Sequence, residues 1–192
     1  LALEPSQRLI EALIFASPEP VPAARLAEVI DGMTSEEAVA VIAELNAYYD
    51  RQGHAIHIVR AAGGYRFATL PEFGKWVKQL LAGSGRVRFS RAALETLSII
   101  AYKQPVSKSD IESVRRVDGG GVLKLLLDRR LIKITGRSKS AGRALLYGTT
   151  QEFLKHFGLD SLADLPQISE LAAMKIKTAQ EEPDLFEKAG EE

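Results

Sequence analysis

The 192-residue chain contains no cysteine. That excludes a disulfide framework and thiolate chemistry, and a reducing compartment is the expected setting. No apolar run approaches the ~20 residues that a bilayer span needs. The N-terminus carries neither the basic region nor the small-residue cleavage site of a signal peptide. A soluble cytoplasmic protein with no membrane contact is expected. The first residue is Leu1, so the native start is expected to be missing.

Residues that carry chemistry are also scarce. The three histidines, His54, His57 and His156, are scattered. His54 and His57 stand three apart at a strand edge, where side chains tend toward opposite faces. No carboxylate cluster accompanies them, so they read as surface residues and no metal centre is expected. No nucleophile elbow of Gly-x-Ser-x-Gly type occurs. Gly119-Gly120-Gly121 does not make a phosphate cradle, which needs a preceding strand and a Lys-Ser or Lys-Thr at the helix start. Here a helix precedes and Val122-Leu123 follows. The glycines read as a tight helix-to-helix turn. Neither an enzyme nor a cofactor is expected.

What the chain does have is a repeat. Glu19-Pro20-Val21 returns 85 positions later as Gln104-Pro105-Val106, and at that offset Leu26 matches Ile111 and Val29 matches Val114. Each copy follows a strongly apolar helix and leads into further helices and two short strands. In the first copy the spacing predicts a helix over 6–17 capped by Ser6 and stopped by Pro18 and Pro20. Leu9, Ile10, Leu13 and Ile14 form one stripe, and Ala12, Phe15 and Ala16 widen it until almost no polar face remains. Such a helix is buried or faces a partner. Pro22 opens the next helix. Thr34 with Glu37 is a capping box for a third helix to about Gln52, with Val39, Ile42, Leu45 and Tyr49 inward. Strands are predicted over 55–62 and 65–69 around a Gly63-Gly64 turn. A short helix over 71–81 carries Phe73, Trp76 and Val77.

The second copy predicts a helix from Ser90 to about Tyr102, a helix capped by Ser107, and a third with Val122, Leu123, Leu126 and Leu127 inward. Strands over 131–135 and 145–149 enclose a basic wing over 136–144, and a helix over 151–157 closes the module. Helix, helix, helix, strand, wing, strand is the order of a winged helix. The expected fold is therefore mainly α with small β-hairpins. It comprises an N-terminal winged-helix domain over 1–82, a hinge over 83–89, a second winged-helix domain over 90–166 and an acidic tail over 167–192. The tail's composition predicts poor order or folding only on a partner.

Net charge is zero but unevenly spread. Basic against acidic residues number 7 to 10 over 1–85, 14 to 5 over 86–150, and 4 to 10 over 151–192. A basic middle third raises nucleic-acid contact as a reading. Winged helices commonly lay their third helix in the major groove. In the first module its outward positions are Glu36, Glu37, Ala40 and Glu44, which repel phosphate. In the second they are Gly120, Gly121, Lys124, Leu125 and Asp128, where opposite charges cancel and an exposed leucine suits a protein surface. The basic residues lie elsewhere: Arg86, Arg88 and Arg91 at the hinge, Arg115 and Arg116, Arg129 and Arg130, and Arg137, Lys139 and Arg143 on the wing. They suit a weak, nonspecific DNA contact through the wing. A winged-helix transcription regulator stays open as the alternative. The favoured reading is a protein-binding clamp, because two linked modules can hold one extended partner at two points. Leu9, Leu13 and Ile14 are candidates for self-association. Lys124 and Leu125, with Tyr102, are candidates for the partner-binding face.

Longer motifs carry a resemblance. Ser90-Arg91-Ala92-Ala93-Leu94-Glu95-Thr96-Leu97 and Ile100-Ala101-Tyr102-Lys103-Gln104-Pro105-Val106 resemble the signature of the segregation and condensation protein B family, ScpB. Residues 111–117, Leu131-Ile132, Gly142-Arg143, 146–150 and 153–159 follow the same pattern. So do Ile10-Glu11-Ala12-Leu13-Ile14-Phe15-Ala16 and Gly63-Gly64-Tyr65-Arg66-Phe67. The resemblance spans about residues 6–166. It implies a non-enzymatic, nucleoid-associated subunit of the bacterial SMC condensin complex, acting in chromosome condensation and segregation. Such a subunit dimerises chiefly through its first module and grips the central segment of the kleisin subunit ScpA, which links it indirectly to SMC. Two positions depart from the pattern. Ala144 replaces the usual proline after Gly-Arg, which loosens the wing. Arg116 replaces the usual glycine before Val117, so the turn into the third helix is expected to rely on Gly119–Gly121.

Overall fold

In a computed structural model, residues 3–81, 89–139 and 142–167 are described. Among them the chain forms eight α-helices and five β-strands, mainly helical with small antiparallel sheets in winged-helix-like arrangement. The expected hinge, apart from Phe89, and the tail beyond Gln167 lie outside the described residues.

Helix α1 (Pro5–Ala16) starts one residue before Ser6. Pro5 takes the first helical position, where its missing N–H costs nothing, and the Glu4 amide donates to Gln7 Oε1 at 3.0 Å. The N-cap is thus Glu4, not Ser6. Helix α2 (Ala23–Val29) follows Pro22. Helix α3 (Ser35–Gln52) opens on the expected capping box: Glu37 N donates to Thr34 Oγ1 at 3.2 Å and Thr34 N to Glu37 Oε2 at 2.7 Å. Its inner face is Ala38, Ile42, Leu45 and Tyr49; Val39 is instead 42% exposed. The helix is apolar on two adjacent rows, and the smaller Ala38 is the one that fits inside.

Strands β1 (Ile56–Ala61) and β2 (Gly64–Thr69) pair antiparallel with Ala61 opposite Gly64. The turn residues are therefore Ala62 (φ 52°) and Gly63 (φ 79°), one step earlier than Gly63-Gly64. Gly64 serves a different need. A Cβ there would lie 2.7 Å from the Pro20 carbonyl carbon and 2.9 Å from that of Val21. Val21 and Tyr65 exchange two backbone hydrogen bonds, of 2.9 and 2.8 Å, so the glycine leaves room for a third chain segment. Asn46 of α3 anchors the hairpin by binding both the N–H (2.8 Å) and the carbonyl (2.9 Å) of Ile58. A 3-10 turn (Pro71–Phe73) and helix α4 (Gly74–Leu80) end the module.

The second module repeats this plan. Helix α5 (Arg91–Lys103) is capped by Ser90, and strand β3 is the two residues Val106–Ser107. Helix α6 (Lys108–Arg115) is capped by Ser107, whose Oγ accepts from Asp110 N at 3.3 Å. Helix α7 (Gly120–Asp128), strands β4 (Ile132–Arg137) and β5 (Leu145–Thr149), and helix α8 (Gln151–Phe157) complete it. The sheet order is β3-β5-β4, and Val106 pairs with Tyr147 as Val21 pairs with Tyr65. The repeated Pro-Val step is thus the edge segment of each sheet. Gln104 secures it in the second module. Its Oε1 accepts from Thr149 N at 2.8 Å and its Nε2 donates to Thr149 Oγ1 at 3.0 Å.

The turn between α6 and α7 departs from expectation. Arg116 itself takes the left-handed conformation (φ 57°) that a glycine would hold at lower cost, whereas Gly119, Gly120 and Gly121 have no positive φ. These glycines sit against an ionic staple. Lys108 Nζ lies 3.0 Å from Asp118 Oδ1 and 3.3 Å from Glu112 Oε1, and Gly119 N donates to Glu112 Oε1 at 2.9 Å. Asp118 and Glu112 hold the Lys108 ammonium above the ordinary lysine range, and Lys108 foremost holds the Asp118 carboxyl below the usual carboxylate range.

Ile10, Ile14, Leu26, Ile42, Leu45 and Tyr49 lead the first core; Leu97, Ile100, Ile111, Leu126, Ile132 and Phe153 are buried in the second module. Burial, together with the Glu11 carboxylate that accepts its hydroxyl at 2.8 Å, pushes the Tyr49 phenol well up.

Candidate partner-binding surfaces

Ile10 (0% exposed) and Ile14 (2%) point into the first core, and Leu13 packs partly against it. Ile14 is therefore spent inside the module and cannot also form an interface; this corrects its placement on the self-association face. The opposite row of α1 remains apolar: Leu9 is 44% exposed, Ala12 is exposed and Phe15 is 81% exposed. Phe15 meets Phe67 edge-on at 6.2 Å, which fixes one side of its ring and leaves the other open. Leu9, Ala12 and Phe15 follow three-residue steps, so they line one outward stripe. Helix α4 adds Trp76 (61% exposed) and Leu80 (82%) at i and i+4.

The outward face of α3 carries exposed Glu36, Glu37, Ala40 and Glu44. Hydrogen bonds from Thr34 keep the Glu37 carboxyl below its usual range, and Glu44 accepts from Gln7 at 2.9 Å. The face is acidic at neutral pH and unsuited to a phosphate backbone.

On the second module, Lys124 and Leu125 are exposed near the middle of α7, Leu125 by 37%. Tyr102, in the last turn of the neighbouring α5, is 36% exposed. The wing is closed by Ser138 N donating to Ala144 O at 2.8 Å and by Arg137 Nη1 donating to Arg143 O at 3.3 Å. Arg137, Lys139 and Arg143 are all exposed, and none joins an ion pair among the described residues. Arg115, grouped above with the outward basic residues, is not outward. Its side chain is 8% exposed and its Nε stands 3.7 Å from Glu95 Oε2. Arg91 is paired with the same Glu95 at 3.0 Å, while Arg86 and Arg88 lie outside the described residues.

The histidines have local roles. His57 bonds Asp50 at 2.8 Å, His54 packs against Tyr49 at 5.5 Å, and His156 lies between Phe89 (5.4 Å) and Phe157 (5.1 Å). Among the described residues no three His, Asp or Glu side chains gather to hold a metal, and no helix is long and apolar enough to cross a membrane.

The family description "Segregation and condensation complex subunit ScpB" matches residues 8–168. The chain belongs to the ScpB family. The segregation and condensation protein B of Syntrophotalea carbinolica is 48% identical over 166 residues, spanning 86% of this chain and 83% of that one. That of Symbiobacterium thermophilum is 46% identical over 160 residues, spanning 83% and 72%. A solved dimer of a ScpB N-terminal domain with a ScpA peptide is 34% identical over 42% of this chain and 96% of that one, with a TM-score of 0.38. ScpB proteins are non-catalytic complex subunits, the class to which the sequence reading assigned the chain. Surfaces, not a pocket, are therefore where function is sought. Sequence reasoning missed Phe15 and Leu80 as exposed apolar residues. The available signal was their spacing, Phe15 three beyond Ala12 and Leu80 four beyond Trp76.

Proposed function

We propose that the chain is an adaptor of the SMC–kleisin condensin complex in bacterial chromosome condensation and segregation, cytoplasmic and nucleoid-associated. Two copies associate through the first module, residues 1–82, and hold the central segment of kleisin ScpA. The second module, residues 90–166, supplies the kleisin face through Tyr102, Lys124 and Leu125. The linker over 83–89 joins the two, and the acidic tail over 167–192 lies beyond them. SMC is reached only through the kleisin.

One observation carries the reading: α1 keeps an apolar outward row although Ile10 and Ile14 already close the core beneath it. Family membership supports the same direction. The self-association face is Leu9, Leu13 and Phe15, with Phe15 in place of Ile14. Burying Phe15 at a dimer face contributes roughly 2 kcal/mol, and the half-exposed Leu9 roughly 1 kcal/mol. The wing residues Arg137, Lys139 and Arg143 add a weak, salt-sensitive DNA contact, and the acidic α3 face argues against a sequence-reading regulator.

Calorimetric titration of the central kleisin segment into the protein tests this. Lys124→Glu with Leu125→Asp is expected to weaken binding at least about tenfold, or about 1.4 kcal/mol. Unchanged affinity in that folded variant would remove the α7 assignment. Preference for one operator over random duplex would favour the regulator instead.

A further inference from the structure

A two-residue hairpin turn leaves its own two central amides without acceptors inside the hairpin. Here both are taken by the second module. Ala62 N–H donates to Leu159 O at 2.8 Å, and Gly63 N–H donates to Asp160 Oδ1 at 3.0 Å. Asp160 Oδ2 lies 3.1 Å from Arg60 Nη2, and the Arg60 guanidinium stands 5.9 Å over the Tyr65 ring, which orients it. Gly158, left-handed at φ 68°, turns the chain out of α8 and delivers Leu159 and Asp160 to the tip. A second contact joins the same parts: Lys155 of α8 pairs with Glu19, just before the Pro-Val step, and with Glu152 at 2.7 Å. These two carboxylates hold the Lys155 ammonium above its ordinary range.

We propose that the β1–β2 tip is a receptor for the acidic exit of the second module, and that the contact is a latch holding the two modules at a fixed separation. The latch is polar and partly wet: Asp160 and Lys155 are 25% and 26% exposed, and Arg60 and Glu19 are both 60% exposed. Exposed ion pairs are weak and screened by salt, so the latch opens without unfolding either module. Latched, the α1 stripe and the α7 face keep one spacing; released, each module follows its own partner.

The inference is tested on the full chain without partner, so its failure is separable from that of the kleisin reading. Amide hydrogen exchange by NMR is expected to find Ala62 and Gly63 protected at least about tenfold over a free turn. Asp160→Ala with Glu19→Ala is expected to abolish that protection while leaving the Ile58 and Tyr65 amides slow, which shows the hairpin intact. Because the chain lacks cysteine, Glu36→Cys and Lys133→Cys provide clean spin-label sites on exposed positions of each module. Diluted into unlabelled protein, the doubly labelled chain is expected to give one narrow distance population. That population should broaden in the latch variant and on raising salt from about 0.05 M to about 1 M. Free-turn exchange at both amides in the unmodified chain would overturn the latch, as would protection that survives both substitutions. Protected amides with a broad distance distribution would overturn it too, because they would place the contact between copies.

Discussion

The two modules share a frame and differ in everything built on it. In both, a Pro-Val step lays its valine beside a tyrosine, and a glycine next to that tyrosine makes room: Gly64 beside Tyr65, Gly148 beside Tyr147. Above that frame the first module has an acidic third helix and a short hairpin. The second has a near-neutral third helix and a basic wing. The turns before the third helix differ as well. Gly32 bears the positive φ (76°) in the first module; Arg116 (57°) bears it in the second, with the Lys108 staple beside it. The difference teaches that edge-strand geometry constrains the sequence tightly, while the outward faces are free to differ in charge and shape.

The sharpest way to break this comparison is to fill the two glycines. At Gly64 the new methyl meets backbone, at 2.7 Å from Pro20 C, which cannot move without unpairing Val21. Gly64→Ala is expected to cost about 3 kcal/mol in urea unfolding, at the upper end for overpacking. At Gly148 the nearest atoms are side chains, Thr135 Cγ2 at 2.8 Å and Gln104 Oε1 at 2.9 Å. Gly148→Ala should cost less, about 1–2 kcal/mol. Equal costs would mean that the side chains around Gly148 yield no more readily than the backbone around Gly64. Removing the third-helix cap of the first module, Thr34→Ala, is expected to cost about 1 kcal/mol in the same measurement.

Exchanging the turn residues sharpens the contrast further. Arg116→Gly relieves left-handed strain and is expected to stabilise by about 0.5 kcal/mol net of chain entropy, whereas Gly32→Ala should destabilise by about 1 kcal/mol. Thermal unfolding of both variants checks the opposite signs. The smallest effect concerns pH. Asp118 is held below its ordinary value in the fold, so its contribution is present above that ordinary value and is lost on acidification below about pH 4. Lys108 is held above its ordinary value, so its contribution is present below that value and is lost as alkali passes the raised one. Protection of the Gly119 amide, relative to the free-peptide exchange rate at each pH, should therefore fall at both extremes, while that of Gly53, which closes α3 on backbone carbonyls, should track the global fold.

Much of this was legible in the chain. Capping residues marked the start of α3 at Thr34 and of α6 at Ser107, and the repeat marked the Pro-Val step at the edge of each sheet. What stayed hidden has common causes. Val106–Ser107 is too short to show alternation, so the third strand was missed. Helix α1 is apolar on two sides, and periodicity alone cannot say which side meets the core; hence Ile14 in place of Phe15. Gly63 and Gly64 look alike in sequence, yet one supplies a positive φ and the other a close approach. The Arg115 side chain is buried although its charge predicts exposure. The contact from Gly63 to Asp160 joins residues 97 positions apart, and no local pattern signals it.

The most direct test of the adaptor account is light scattering on a size-exclusion column, with and without the central segment of the cognate kleisin. The account predicts a dimer mass for the protein alone, loss of that dimer in Leu9→Asp with Phe15→Asp, and co-elution of the unmodified dimer with kleisin. A monomer that ignores the kleisin segment would contradict it.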